Sequence, residues 1–370
     1  MMEFNGNFNK IGIIGLGLIG GTLAKTIRRI YPRMELVACD PCRESLDAAL
    51  AEGVITQACT ALSPELSGCR YLFLCAPVQE NGRFLQELAP LLSRDCILTD
   101  TGSVKSAIHE EIRALGLSGC FIGGHPMAGS EKSGYANSTA YLFENAYYII
   151  THDKEIAREL VEEYQGFIAS LGCIPFLMEP KEHDYVTAAV SHLPHILASS
   201  LVNLVQKLDN EAEYMKSIAA GGFKDITRIA SSSPVMWQEI CQANRSQIIR
   251  LLDVFMESLA RMKTDIADAD SHRLLSFFQE AKDYRDSLPI KKTGPLPSIF
   301  ELYCDLIDEA GGIATIATIL ATNGISIKNI GIIHNREFEE GVLRIEFYAE
   351  EALKKAVTQL RKHHYVIYER

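Results

Sequence analysis

The residues best suited to chemistry begin near the amino terminus, where KIGIIGLGLIGG spans Lys10 to Gly21 and spaces Gly15, Gly17 and Gly20 as G-x-G-x-x-G. Ile11, Ile13 and Ile14 read as a short buried strand, and Leu18, Ile19, Leu23 and Ile27 as the apolar stripe of a helix that follows. In such a turn the first glycine permits the bend, the second lets backbone approach a pyrophosphate, and the third lets helix and strand pack closely. Phosphates would then meet unpaired N–H groups at the positive end of the helix, which makes Gly15, Leu16, Gly17, Leu18, Ile19 and Gly20 the cofactor-binding turn. Asp40 ends the next hydrophobic run, ELVACD, twenty residues after Gly20, where a carboxylate can accept from both ribose hydroxyls of NAD and would repel a 2′-phosphate. Arg43 could still accommodate that phosphate, and Asp40 also stands where an aspartate shapes a turn before Pro41.

Further chemistry is expected wherever later strands end on the same side. The run RYLFLCA delivers Ala76 and Pro77, and the strand from Cys96 delivers Asp100-Thr101-Gly102-Ser103-Val104-Lys105. Ser103 is either the cap of a helix over 104–115 or a hydroxyl facing the nicotinamide pocket; Lys105 is either an anion contact or a solvated lysine. FIGGHPMAG then places His125 at another strand terminus, where an imidazole could take a proton from a hydroxyl that is becoming a carbonyl.

A long apolar helix over 181–204 carries His183, Asp184, His192 and His195. On a straight helix of about 100° per residue, His183 and His192 fall on opposite faces, which argues against a shared metal. Pro194 should kink this helix, and the histidines then line a substrate cleft or pair within a helical core. Arg228 is flanked by Ile226, Ile229 and Ala230, a setting that suits a guanidinium gripping a carboxylate, with Trp237 walling the same region. Cys39 and Cys42 form a lone CxxC without a partner pair and read as incidental.

The elements that must position these residues divide into three regions. Residues 9–178 alternate strand and helix, with a third strand from Val54 and a helix from Lys154 to Leu171, which gives an α/β Rossmann-like parallel sheet domain. Residues 179–288 are almost wholly helical, including one long apolar-faced helix from Arg245 to about Asp286 that suits a dimer interface as well as a core. Pro289 and KKTGPLP form a linker, and residues 296–370 read βαββαβ, the ferredoxin-like split arrangement. Its Glu309-Ala310-Gly311-Gly312 turn and Asn323-Gly324 suggest a small-molecule regulatory module; a dimerisation domain is the other reading.

At 370 residues and 47% hydrophobic, the chain can build several cores. Its net charge of -11, with pI near 5.5 and no basic stripe, argues against nucleic acid as a partner. With no leader pattern before the first strand, no uninterrupted apolar run of membrane-spanning length and ten scattered cysteines, a cytoplasmic protein with reduced thiols and no membrane partner is expected.

Taken together, GLGLIGG with Asp40, DTGSVKS, GGHPMAGSEKSG, EHDYVTAAVSHLPH, GGFKDITRIASSSPVMW and EAGGIATIATILATNGISIKNIGI resemble the prephenate dehydrogenases that carry a carboxy-terminal ACT domain. The resemblance covers nearly the whole chain. It implies NAD-dependent oxidative decarboxylation of prephenate to 4-hydroxyphenylpyruvate in tyrosine biosynthesis, with His125 as base and Ser103 orienting it. It also implies Arg228 on a substrate carboxylate, His183, His192 and His195 near the substrate, L-tyrosine as effector of the ACT domain, and a homodimer built through the helical domain. Arogenate dehydrogenase is the neighbouring enzyme reading, and a nucleotide-binding amino-acid sensor without turnover is the non-enzymatic one.

Overall fold

A computed structural model describes residues 9–76, 78–93, 95–129, 132–288, 300–305, 311–333 and 342–368. The chain forms two compact units, Met1–Lys292 and Thr293–Arg370. In the first, β1 (Lys10–Ile14), α1 (Leu18–Ile30), β2 (Glu35–Cys39), α2 (Arg43–Ala51), β3 (Gln57–Cys59), β4 (Tyr71–Leu74), α3 (Val78–Leu88), β5 (Ile97–Asp100) and α4 (Ser106–Ala114) follow in order. They lead to β6 (Phe121–Pro126), β7 (Tyr147–His152), α5 (Arg158–Ser170) and β8 (Ile174–Leu177).

The eight strands make one sheet in the order β3-β2-β1-β4-β5-β6-β7-β8. The first six positions are parallel; β7 pairs antiparallel with β6, and β8 parallel with β7. Strand residues alternate between two cores: Ile11, Ile13, Leu36, Ala38, Tyr71 and Phe73 face one side, whereas Ile14, Val37, Leu72 and Leu74 face the other. Burial on both faces is what a parallel sheet requires, and it explains the near-continuous apolar runs. The chain steps outward from β1 to β3 and then returns to β4 on the other side of β1, so a crevice opens beyond the strand ends at β1 and β4. This is the α/β Rossmann-like domain expected from the alternating pattern. β3 starts at Gln57 rather than Val54, because Val54 and Ile55 turn into the core first, and α5 starts at Arg158 rather than Lys154.

Helices follow: α6 (Pro180–Thr187), a π turn at Ala188–His192, α7 (Leu193–Leu208), α8 (Tyr214–Ile218), α9 (Gly221–Thr227), a 3-10 turn at Arg228–Ser231, α10 (Pro234–Ala243), α11 (Arg245–Ala267) and α12 (Ser271–Ser287). The long helix expected over 245–286 is therefore two. Ala269 takes a left-handed φ of 50°, and Asp270 caps α12 by accepting from Arg273 N at 3.1 Å, so the chain stops and restarts. Pro180–Leu208 has the length and hydropathy of a membrane span. It is interrupted by the π turn, and its His183, Asp184 and His192 are buried and bond to other elements of the unit.

In the second unit β9 (Phe300–Asp305), α13 (Gly312–Thr322), β10 (Ile327–Ile333), β11 (Val342–Phe347), α14 (Glu350–Lys362) and β12 (Ile367–Tyr368) give the βαββαβ order expected. The antiparallel sheet runs β10-β11-β9-β12. Leu302, Cys304, Leu343 and Ile345 pack against Ile316, Leu320 and Leu360 of the two helices. On the other face Arg344 donates to Glu301 at 2.8 Å across the strands. The linker at 289–299 and Glu309-Ala310 lie outside the described residues.

Candidate active site

The glycine turn leaves β1 toward the crevice. Gly15 has φ +92°, and a Cβ there would stand 2.7 Å from Ala76 N and Cys75 C at the end of β4. A Cβ on Gly20 would come within 2.0 Å of Gly15 O. Both positions therefore need glycine for reasons internal to the fold. Gly17 differs: a Cβ there meets nothing within 4 Å among the described residues, so none of them demands glycine at this point. The open space lies where α1 begins, with Leu18 and Ile19 in its first turn, and it is a cradle that a Cβ would partly fill. Such a cradle fits the pyrophosphate of a dinucleotide. Leu16 buries its side chain in the core while its N–H donates to Asp40 Oδ2 at 2.5 Å. Asp40 Oδ1 accepts from Cys42 N at 2.8 Å, so the turn-shaping role and the placement beside the glycine turn coexist in one carboxylate. Pro77, Ser130 and Glu131 lie outside the described residues.

Deeper along the sheet, Asp100 and Lys105 fasten β5 to β6. Asp100 accepts from Gly102 N at 2.9 Å and from Gly124 N at 3.2 Å. Lys105 pairs with Asp100 and donates from Nζ to Gly124 O at 2.6 Å. Neither of the expected roles of Lys105 holds: the ammonium is fully buried, its pKa lowered by burial against the opposing pull of Asp100. The ion pair holds both backbone groups of Gly124, the residue before His125. A side chain on Gly124 would collide with Tyr148 Oη at 2.4 Å.

The helix after Ser103 begins at Ser106, and its cap is not Ser103. Asp184 accepts from Lys105 N at 2.7 Å and Ser106 N at 2.8 Å, reaching across from α6 to take the donors that open α4. Ser103 is half-buried at the loop between β5 and α4.

His125 meets the helical region through His183: His125 Nδ1 and His183 Nε2 are 2.8 Å apart, and His183 Nδ1 lies 2.9 Å from Asp184 Oδ1. His192 Nδ1 lies 3.2 Å from Asn244 Nδ2, which also donates to the Asp184 carbonyl at 2.8 Å. His195 stacks on Trp237 with ring centroids 3.6 Å apart. His183 and His192 do not fall on opposite faces. The π turn between them bonds Leu193 N to Ala188 O, one residue further back than in an α-helix, and the extra residue rotates His192 inward. Pro194, which has no N–H for the carbonyl four residues earlier, stands just after this turn, so the expected kink takes the form of a wider turn.

Burial pushes the pKa of all four imidazoles down. For His125, well below the usual value, His183 and Lys105 add to the effect; His183 is pulled the other way by Asp184; His192 falls to about 4. Each is therefore neutral at physiological pH.

Arg228 opens the 3-10 turn against α7, and it is exposed, as is Ile226 at 65%. Of the apolar neighbours that suggested a guanidinium gripping a carboxylate, Ile226 on α9 is exposed, and Ile229 and Ala230 in the 3-10 turn are half-buried. Sequence reasoning gave Lys105 no part in the architecture and passed over Asp100 and Asn244. Asp184 stood beside His183 in plain view, but only its reach to α4 distinguishes it. Asn244 carries no local signal.

Family profiles match in two adjoining segments: "Prephenate dehydrogenase, nucleotide-binding domain" over residues 23–174, and "Prephenate dehydrogenase, dimerization domain" over residues 179–280. The chain is 38% identical over 346 residues to the prephenate dehydrogenase of Bacillus subtilis, covering 93% of each. The structure of prephenate dehydrogenase from A. aeolicus, solved with hydroxyphenyl propionate and NAD+, superposes with a TM-score of 0.73 at 31% identity over 77% of this chain and 99% of that one. Synechocystis arogenate dehydrogenase gives 0.67 at 30% identity over 75% and 99%. With the glycine turn, the strand-end histidine and both matched segments in one continuous order, the chain belongs to the prephenate dehydrogenase family.

Proposed function

We propose that this enzyme oxidises prephenate with NAD to 4-hydroxyphenylpyruvate, carbon dioxide and NADH. The observation that carries the reading is a half-buried His125, its pKa held well below the usual imidazole value, at the end of β6 in the sheet whose β1 turn leaves an open cradle at Gly17. NAD supplies the hydride acceptor. The turn of Gly15, Leu16, Gly17, Leu18, Ile19 and Gly20 would hold its pyrophosphate and Asp40 its ribose, with Ala76 and Pro77 as further cofactor-binding residues. His125 bonds the C4 hydroxyl of the cyclohexadienol and takes its proton as hydride leaves C4. The electrons of the ring carboxylate C–C bond then complete the aromatic ring, and carbon dioxide departs. Ser103, from the adjoining strand end, orients the hydroxyl. Arg228 holds a substrate carboxylate in two parallel bonds, with His192 and His195 beside the substrate and His183 behind the base.

In the same reading the chain divides at 9–178, 179–288 and 296–370. The helical part forms a homodimer, in keeping with the exposed Val254, Met256, Leu259, Leu275 and Phe278 of α11 and α12. The βαββαβ unit acts as an ACT domain that binds L-tyrosine and inhibits. Ten free cysteines fit a cytoplasmic, reducing setting. The likeness to an arogenate dehydrogenase favours a second reading in which the side-chain ketone of the substrate is an amine. Paired steady-state assays with prephenate and arogenate decide: prephenate should give the higher kcat/KM, and arogenate turnover far above it would overturn the choice.

A further inference from the structure

With His183 neutral, the hydrogen bonds behind His125 have one consistent set of proton positions. Asp184 accepts from Lys105 N, Ser106 N and His183 Nδ1; burial raises its pKa, but these hydrogen bonds outweigh it and hold the carboxyl ionised. An ionised carboxylate only accepts, so His183 Nδ1 must carry a hydrogen. His183 is neutral, so its Nε2 holds a lone pair, 2.8 Å from His125 Nδ1 and 3.3 Å from Thr187 Oγ1. His125 Nδ1 must then be the donor.

Resting on the reading of His125 as the base, we propose that Asp184 and His183 are its positioning residues: the carboxylate fixes the tautomer of His183, His183 fixes that of His125, and the Nε2 lone pair of His125 is left facing the hydroxyl it deprotonates. When His125 becomes cationic, the negative charge of Asp184 lies one imidazole away and stabilises it. The other charged or titratable groups facing the pair are Lys105, neutralised by Asp100, and His192 from the π turn. Because Asp184 also holds the first N–H groups of α4, one carboxylate sets both the aim of the base and the position of the loop that bears Ser103.

The test uses full-length protein labelled with 15N-histidine and no substrate, with His125 assigned by its disappearance in His125→Asn. The ring nitrogens of His125 should report the Nδ1–H tautomer near neutral pH. His183→Gln, whose amide oxygen can stand where Nε2 stood, should keep that tautomer; His183→Leu should release it to the Nε2–H form that predominates in water. In turnover, His183→Gln should keep about tenfold more kcat than His183→Leu, as expected for one buried hydrogen bond, with similar KM for NAD. Asp184→Asn should move the acid limb of kcat/KM to lower pH, which a purely structural cap would not do. An Nε2–H His125 in the native protein, or an Nδ1–H signature that survives His183→Leu, overturns the proposal. Failure to oxidise prephenate would instead remove the proposed reaction and leave the tautomer result standing.

Discussion

At His125 a histidine normally titrating near 6.5 is carried below that value by burial and by His183 and Lys105. A base must be neutral to act, and a lowered pKa extends its neutral range downward. The acid limb of kcat/KM should therefore lie below pH 6.5, with activity retained as pH falls through the ordinary imidazole range. His125→Asn should lower kcat at least about a hundredfold while leaving NAD affinity near normal, measured by titration calorimetry beside turnover. Unchanged prephenate oxidation would remove the role. The glycines allow a second separation of folding from function. Gly20→Ala would drive a Cβ to 2.0 Å from Gly15 O and should lower the melting temperature, by about 1–3 kcal/mol of stability. Gly17→Ala meets no atom of the described residues and should melt like the parent, yet bind NAD more weakly; equal affinity would mean that the pyrophosphate does not rest there.

At the scale of an element, the α6, π turn and α7 series decides how the histidines meet. Pro194→Ala restores an N–H that could bond the carbonyl four residues back and draw the π turn toward a regular helix, which would swing His192 away from Asn244. Helicity by circular dichroism should persist, and kcat should fall about tenfold, the scale of one buried hydrogen bond. An unchanged kcat would mean that tertiary packing alone holds the wide turn. The same element marks the boundary of what the sequence could convey. Glycine spacing, strand-end runs and the βαββαβ order are local patterns, and each corresponds to an observed element. Phase along a helix assumes a uniform rise, and one inserted residue in the hydrogen-bond ladder was enough to reverse the predicted faces of His183 and His192. Lys105 illustrates the other gap. Its burial follows from Asp100 and from Gly124, nineteen residues away, and neither contact leaves a periodic trace. Arg228 is exposed, since apolar neighbours in sequence imply burial only where another surface covers them.

For the whole molecule, the decisive property is that Met1–Lys292 and Thr293–Arg370 are separate units with separate cores. The core of the smaller unit is built from β9, α13, β11, α14 and β12, and the residues proposed for catalysis all lie in the larger one. Among the described residues, the hydrogen-bond partners of His125, Asp184, Lys105 and Asn244 all precede Leu288, so a chain ending there keeps them. It should fold cooperatively, remain a dimer by sedimentation velocity through α11 and α12, and turn over prephenate with kcat within a few-fold of the full chain. If the βαββαβ unit is the L-tyrosine sensor, this truncation should abolish inhibition at concentrations that inhibit the intact protein, because coupling between two sites vanishes when one is removed. Inhibition that persists undiminished in a folded, active truncation would put the effector in the catalytic cleft itself, where a 4-hydroxyphenyl amino acid competes with the substrate it resembles. A competitive pattern against prephenate would identify that case.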